Sequence, residues 1–475
     1  MTLHRRALLG AAAAGAAFSG YALRAQAQTS AAQTSAGETY LNEVHGYGPL
    51  IPDPYKILDL PEGFSYRVIS HAGQTMDDGF FVPYKADGMA AIPIGGSKIA
   101  LLRNHELNPR DLNYGPTGPG RKLIDKLKPE QAYDVGPDGY PLPGGVTTLI
   151  YDLKSQRLES QHLSLTGTLI NCAGGATPWG SWLSCEETTL SPQAGLGKSH
   201  GWVFEVPASA KGLVQPVPLT AMGRFQHEAA AVDPGTGVIY ETEDSFDSKG
   251  LFYRFLPNDR RNPAKGGRLQ ALGFRNAPEG GDARNMKGSE ATWRVGETRD
   301  CVWIDVEGSD NPHEDLRLRM QAAGAAFVGR GEGIFWSPEG VYFTCTSSGP
   351  AGHGQVLRYI PSPHEGQAGE ADAPGRLELF VEPTDSRVMD FADNLAISPW
   401  GHMFACEDRY SETLRNHLKG ITPDGRVYTI ARNVFEGNAE LAGACVSPDG
   451  STCFVNIYWP GLTLAITGPW NSFRV

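Results

Sequence analysis

The 475-residue chain carries 53 acidic against 41 basic side chains, for a formal charge of −12, together with 58 glycines and 34 prolines. That charge excludes a protein built to read a nucleic-acid phosphate backbone. Turn residues at this density favour many short strands over long helices.

Residues 1–27 read as an export signal. Arg5 and Arg6 precede a weakly apolar Ala/Gly run, and Ala25-Gln26-Ala27 offers a small-x-small cleavage site. Paired arginines before such a run mark the twin-arginine route, which carries folded proteins, with an ordinary secretory signal as the alternative. The twin-arginine export machinery is therefore an expected partner, and the destination is periplasmic or secreted. The run is short and glycine-rich for a membrane anchor, and no later stretch reaches 18 uninterrupted apolar residues, so a soluble protein without a stable anchor is expected, as a monomer. This segment holds three arginines and no acid, which leaves the remainder near −15. Such a balance suits acidic side chains gathered around cations.

After an N-terminal extension over residues 28–60, one pattern recurs from residue 61 to the C-terminus: a short apolar strand, a (Ser/Thr/Asp)-Pro-x-Gly turn and a second apolar strand. It reads CAGGATPWGSWLSCEE, EAAAVDPGTGVIYETED, EGIFWSPEGVYFTCTSS, DNLAISPWGHMFACEDR and ELAGACVSPDGSTCFVN, with DGMAAIPIGGSKIALLRNHE as a looser copy. The turn prolines are Pro93, Pro178, Pro234, Pro338, Pro399 and Pro448. Proline presets φ in such a turn, and the glycine tolerates the reversal. Hairpin repeats about 50 residues apart predict an all-β propeller, with six blades as the count and seven as the alternative. The long interval before Pro338 suggests a degenerate unit near residues 260–310. It also holds one credible helix, Pro312 to Ala323, with Asn311 as cap and Gly324 as stop.

Six residues before the turn prolines stand Asp87, Cys172, Glu228, Glu332, Asp393 and Ala442. Five of these six can bind a metal, although Asp, Glu and Cys make up only 60 of the 475 residues. If these strands line the channel, the positions form a ring at one mouth, and each second strand returns to it. There the sequence offers Glu106, Glu186-Glu187, Glu243-Asp244 and Glu407-Asp408, while Glu440 stands two residues before Ala442. That many uncompensated carboxylates oppose folding, and bound cations are the simplest compensation. Carboxylates suit calcium or magnesium, whereas a thiolate among them points to a transition metal.

The seven cysteines form no CxxC pair, and most alternate with apolar residues as core strand positions do. His105 and His227 each precede a candidate ligand, so alternation points them away from it into packing, where His402 is also placed. His353 lies in the AGHGQ loop, with no assignment from sequence.

Together, YGPLIPDPYKILDLPEGFSYRVIS, LLRNHE, NCAGGATPWGSWLSCEE, FQHEAAAVDPGTGVIYETED, GRGEGIFW and GACVSPDGSTCFVNI resemble the PhoX family of alkaline phosphatases, in its shorter subgroup, from about residue 45 to the C-terminus. The resemblance implies a twin-arginine-exported propeller that hydrolyses small phosphate monoesters. It also implies a pair of Fe3+ ions bridged by oxygen, with Ca2+ beside them. By that resemblance Cys172 is the iron-binding cysteine, Glu228 and Glu332 are acidic ligands and Arg330 contacts substrate, so that Arg330, Glu332 and Cys172 form the expected catalytic set. Glu106, Glu186, Glu187, Glu243, Asp244 and Glu440 match the family's acidic positions without a division between iron and calcium. Asp87 and Asp393 join them from the ring. The chain departs from many relatives at Tyr458-Trp459-Pro460-Gly461, where those have Gln-His before Pro-Gly. Three other readings fit the same architecture: a calcium-dependent lactonase, a phosphodiesterase or phytase-like enzyme, and a non-catalytic calcium-binding propeller.

Overall fold

Each of the six repeated hairpins supplies the two innermost strands of one blade. The computed structural model describes residues 38–286, 293–409 and 415–473; the expected export signal lies outside them. The inner strands are Ala86–Gly95, Asn171–Ala176, His227–Val232, Gly331–Ser337, Ala392–Ile397 and Leu441–Val446, which number blades one to six. Each packs on the inner strand of the next blade, and the sixth packs on the first, so the ring closes. The fold is a β-propeller.

Within a blade the strands run antiparallel outward from the axis. Blade six is completed by Ser65–His71 from the start of the domain, which pairs with Leu462–Thr467 and ties the two ends of the ring together. Residues of the N-terminal extension add an edge to blade five, where Leu58–Pro61 pairs with Val427–Asn433. Apolar clusters fill the spaces between blades; Tyr342, Phe380, Leu395, Met403 and Ile421 pack together between blades four and five.

Two expectations are corrected. Residues 260–310 hold no extra blade among the described residues. Gly267–Phe274 is the outer strand of blade three, and Thr298–Asp305 pairs with it on one side and with Arg376–Val381 of blade four on the other. The long interval is thus a bridge between blades. The helix is also shorter than its pattern, spanning Leu316–Ala322. Asn311 Oδ1 accepts the backbone N–H groups of Asp315 (2.8 Å) and Leu316 (2.9 Å), so the cap is used, but Pro312 to Asp315 form a turn ahead of the helix.

Among the described residues no helix is long and apolar enough to cross a membrane. All seven cysteines are buried and unpaired.

Candidate metal centre

The six innermost hairpins share an irregularity that aims side chains at one mouth of the channel. The first residue of each inner strand pairs with the last residue of the second strand: Ala86 with His105, Asn171 with Glu186, His227 with Glu243, Gly331 with Cys345, Ala392 with Glu407 and Leu441 with Ile457. In blades one to five the next pairing is three residues on along the inner strand but only two back along its partner. One extra residue on one strand is a β-bulge, which bends the strand and re-aims its side chains. Asp87, Cys172, Glu228, Glu332 and Asp393 all occupy this bulge. In blade six the shift begins one residue later and Ala442 stays paired with Asn456.

The bulges are locked by their neighbours around the ring. A Cβ at Gly88 would lie 2.4 Å from Ala173 Cα, and one at Gly333 would lie 2.4 Å from the Leu395 nitrogen, so glycine is what lets adjacent inner strands approach. Carbonyls at the bulges are held by the penultimate residue of the preceding blade's second strand. Asn104 donates to Ala173 O (2.7 Å), Thr242 to Glu332 O (2.5 Å), Thr344 to Asp393 O (2.5 Å) and Asn456 to Asp87 O (2.6 Å). Sequence reading missed these four, although each stands two residues before the residue that re-enters the mouth.

Three overlapping groups result. Cys172, Glu187 and Glu228 offer ligand atoms within 4.8 Å of one another, as do Glu228, Glu332 and Asp393, and then Asp393, Asp408 and Glu440. Glu228 and Asp393 are each shared by two groups, so the three form one continuous arc. Asp408, one of the acids at the returning strand ends, completes the third group. Asp87 and Glu106 lie beside the arc; the Asp87 carboxyl feels Glu106, Asp393 and Asp408, and Glu106 Oε2 accepts a short hydrogen bond from the Tyr458 hydroxyl. Asp244 lies against Glu187 and is clamped by Arg330, with Nε–Oδ1 2.9 Å and Nη2–Oδ2 2.7 Å.

Two predicted ligands are not brought into the arc. Glu186 faces away from the channel, where Oε1 meets Leu169 N–H (2.9 Å) and His200 Nδ1 (2.7 Å) and Oε2 accepts Gly201 N–H (2.9 Å). Glu243 accepts from Leu251 N–H (3.0 Å) and the Tyr253 hydroxyl (3.1 Å). Both are the last residue of a second strand, and side chains alternate along a strand, so the following residue takes the mouth position. His105 and His227 are buried in packing, bonded to the carbonyls of Tyr84 and Gly223 (2.9 Å each). His353 Nδ1 lies 2.9 Å from Asp390 Oδ1.

The electrostatics of the arc call for cations. Burial, followed by the charge of neighbouring carboxylates, raises Asp87, Glu187, Glu228, Glu332 and Glu440 above the usual carboxylate range, and pushes Asp393 up to about 8. The Cys172 thiol is raised by burial and by Asp87, Glu228 and Glu187, so these surroundings alone keep it protonated. Among the described residues no N–H or O–H group donates to either oxygen of the buried Glu228 carboxylate, whose one side-chain donor is the Cys172 thiol. Orphaned carboxylate oxygens beside a thiol form a donor set that a metal ion satisfies and a protein donor does not. Beneath the arc lies an apolar cavity of about 370 Å³, with Ala90, Ala176, Ala231, Phe335, Ile397 and Val446 in its walls, one from each blade. It offers an anion no charged partner, so the mouth is the polar approach.

Arg330 stands at the edge of the arc with φ +43°, a left-handed conformation in a non-glycine residue. Its Nη2 is 3.5 Å from Glu332 Oε1, and Nη1 has no hydrogen bond among the described residues.

The family model for alkaline phosphatase PhoX matches residues 45–136 and 145–461. The chain belongs to the PhoX alkaline phosphatase family. Its members are metal-dependent phosphoric monoester hydrolases, and this chain's cation-ready arc accords with that class. Among solved structures, the PhoX of Pseudomonas fluorescens, determined with the transition-state analogue vanadate, is 18% identical with a TM-score of 0.63, covering 88% of this chain and 97% of that one. More distant are a gluconolactonase from Xanthomonas campestris (10% identical, TM-score 0.38, 89% and 98% covered) and the β-propeller domain of Myceliophteria thermophila Cps50 (11%, 0.36, 68% and 91%). Those two lie too far away to bear on function. Comparison with curated sequences finds no match.

Proposed function

We propose that the arc holds iron and calcium and hydrolyses small phosphate monoesters at the channel mouth, with Cys172, Glu187, Glu228, Glu332, Asp393, Asp408 and Glu440 as ligands and Asp87, Glu106 and Asp244 in support. The observation that carries this reading is the convergence of seven ligand-bearing side chains, a thiol among them, in three overlapping groups. Cys172, Glu187 and Glu228 include the soft donor and suit iron; Asp393, Asp408 and Glu440 are all-carboxylate and suit calcium. When bound, such ions polarise phosphoryl oxygens and supply an activated oxygen nucleophile.

The chain's own residues do the rest. Arg330 presents planar paired donors to the phosphoryl group and offsets its charge as the ester bond breaks. Asp244 holds that guanidinium in place, and Nη1, without a hydrogen bond among the described residues, is available to substrate. The bulged ring and its capping residues keep the ligands fixed, and the apolar cavity beneath keeps the phosphoryl group at the mouth.

Residues 1–27 are proposed as the twin-arginine signal, placing a monomeric protein in the periplasm or outside, with iron and calcium loaded before or during export. The test is the purified, natively exported protein: hydrolysis of p-nitrophenyl phosphate, with metal analysis of the active fraction. Iron and calcium in active enzyme are the expected result. Full activity without iron overturns the iron assignment, and unchanged turnover in Cys172→Ala overturns the ligand set. Lactone turnover that survives Cys172→Ala would favour the lactonase reading.

A further inference from the structure

Two aromatic surfaces stand on opposite sides of the mouth. Phe246 follows Asp244 by two residues and is 74% exposed. The Arg330 guanidinium lies over its ring, 5.1 Å from the centroid. Across the ring, Trp459 directly follows Tyr458, the residue that holds Glu106, and is 40% exposed. Its ring packs on Tyr84 (5.3 Å) and Tyr114 (5.4 Å). Phe246 belongs to the end of blade three and Trp459 to the end of blade six, and in a ring of six these two blades face each other.

Single exposed apolar residues are ordinary on protein surfaces. Here, however, each stands within two residues of a position that re-enters the mouth, and one of them rests on the arginine beside the arc. The ring of Phe246 is fixed to that cation yet leaves most of its surface in water. A ligand anchored through a phosphoryl group at Arg330 brings its alcohol portion to this rim, and a flat apolar alcohol covers the exposed face while an aliphatic chain of one to three carbons falls short of it.

We propose that the exposed face of Phe246 forms a subsite for the alcohol portion of the monoester, so that this protein selects phosphates of alcohols carrying a flat aromatic ring over those of small aliphatic ones, with Trp459 on the far side of the ring taking no part. The proposal rests on the reading of Arg330 as the phosphoryl-binding residue and adds the substrate class to it.

Propyl, 3-phenylpropyl and 3-cyclohexylpropyl phosphates share a primary-alcohol leaving group, so their kcat/KM ratios report the remote ring and not leaving-group chemistry. The matching non-hydrolysable phosphonates, titrated calorimetrically into the metal-loaded protein, report binding without turnover. The expected phenylpropyl-to-propyl ratio is about tenfold in both measurements, shrinking to about threefold or less in Phe246→Ala while persisting in Phe246→Tyr and in Trp459→Ala. Any effect of Phe246→Ala on Arg330 is common to all three esters and cancels in the ratio. A ratio near one in the parent protein, a ratio unmoved in Phe246→Ala, a ratio that falls as far in Trp459→Ala, or a cyclohexyl ester as good as the phenyl ester overturns the proposal. Discrimination among phosphonates without turnover of any ester leaves the subsite standing and removes the catalytic reading. Failure to bind any phosphonate removes both.

Discussion

Glu186 and Glu187 are adjacent in the chain and lie on opposite faces of the same sheet. Glu186 is sealed between His200 and the backbone N–H groups of Leu169, Gly201 and Trp202, whereas Glu187 enters the arc with Cys172 and Glu228. Their substitutions should therefore separate cleanly. Glu186→Gln is expected to lower stability by about 1–3 kcal/mol, because a buried network loses its charge and one of its two acceptor oxygens, while leaving metal content unchanged. Glu187→Gln is expected to lower metal occupancy and to leave the metal-free protein as stable as the parent or more so, since a carboxylate against Asp244 is removed. Thermal melts and elemental analysis of both variants check this.

Arg330 and Asp244 are joined by two parallel bonds, a geometry that lysine cannot reproduce. Arg330→Lys keeps the charge and loses the fork. A fall in kcat/KM on p-nitrophenyl phosphate on the order of tenfold or more is expected, with a melting temperature close to that of the parent. Steady-state kinetics beside a thermal melt distinguish this from simple unfolding.

Removal of metal should make stability depend on pH in a specific direction. Asp393 is pushed up to about 8, and Asp87, Glu187, Glu228, Glu332 and Glu440 are also raised. Between the ordinary carboxylate range near pH 4 and these raised values, the folded state retains protons that the unfolded chain has released, so stability falls as pH rises. The chelated protein is thus expected to melt at progressively lower temperature as pH rises from about 4 through about 8, where Asp393 gives up its proton. Restoring cations should remove that slope. Melting curves across pH, with and without chelator, are the measurement.

Thr344 tests the locking of the bulges. Its hydroxyl donates to Asp393 O at 2.5 Å, with Gly333 O 3.2 Å away. Thr344→Val keeps the shape and removes the bond that fixes the strand segment bearing Asp393. Metal affinity is expected to fall about tenfold, as it does when the partners that orient metal ligands are lost, with about 1 kcal/mol of stability. Competition with a graded series of chelators measures the affinity.

The slot six residues before each turn proline was legible because a hairpin of constant length places its start at a constant distance from its turn. Asp87, Cys172, Glu228, Glu332 and Asp393 could be found that way, and so could the fold, since Pro-x-Gly turns and strand alternation are local signals. The bridge strand Thr298–Asp305 could not: its register depends on two blades that are distant in sequence. The same limit left open which of Glu407 and Asp408 enters the arc, because the partners of Asp408, Asp393 and Glu440, lie in two blades.

By itself the amino-acid sequence determined a ring of hairpins, the residue at each bulge and the pairs of acids at each returning strand end. Which acid of a pair faces the channel was decided only by the tertiary structure. A strand puts neighbours on opposite sides, and both sides here are buried, so composition cannot choose between Glu186 and Glu187 or between Glu243 and Asp244. The choice follows from the ladder pairing of the two innermost strands, and Asn104, Thr242, Thr344 and Asn456 hold the bulges of blades two, four, five and one in that pairing from the neighbouring blade.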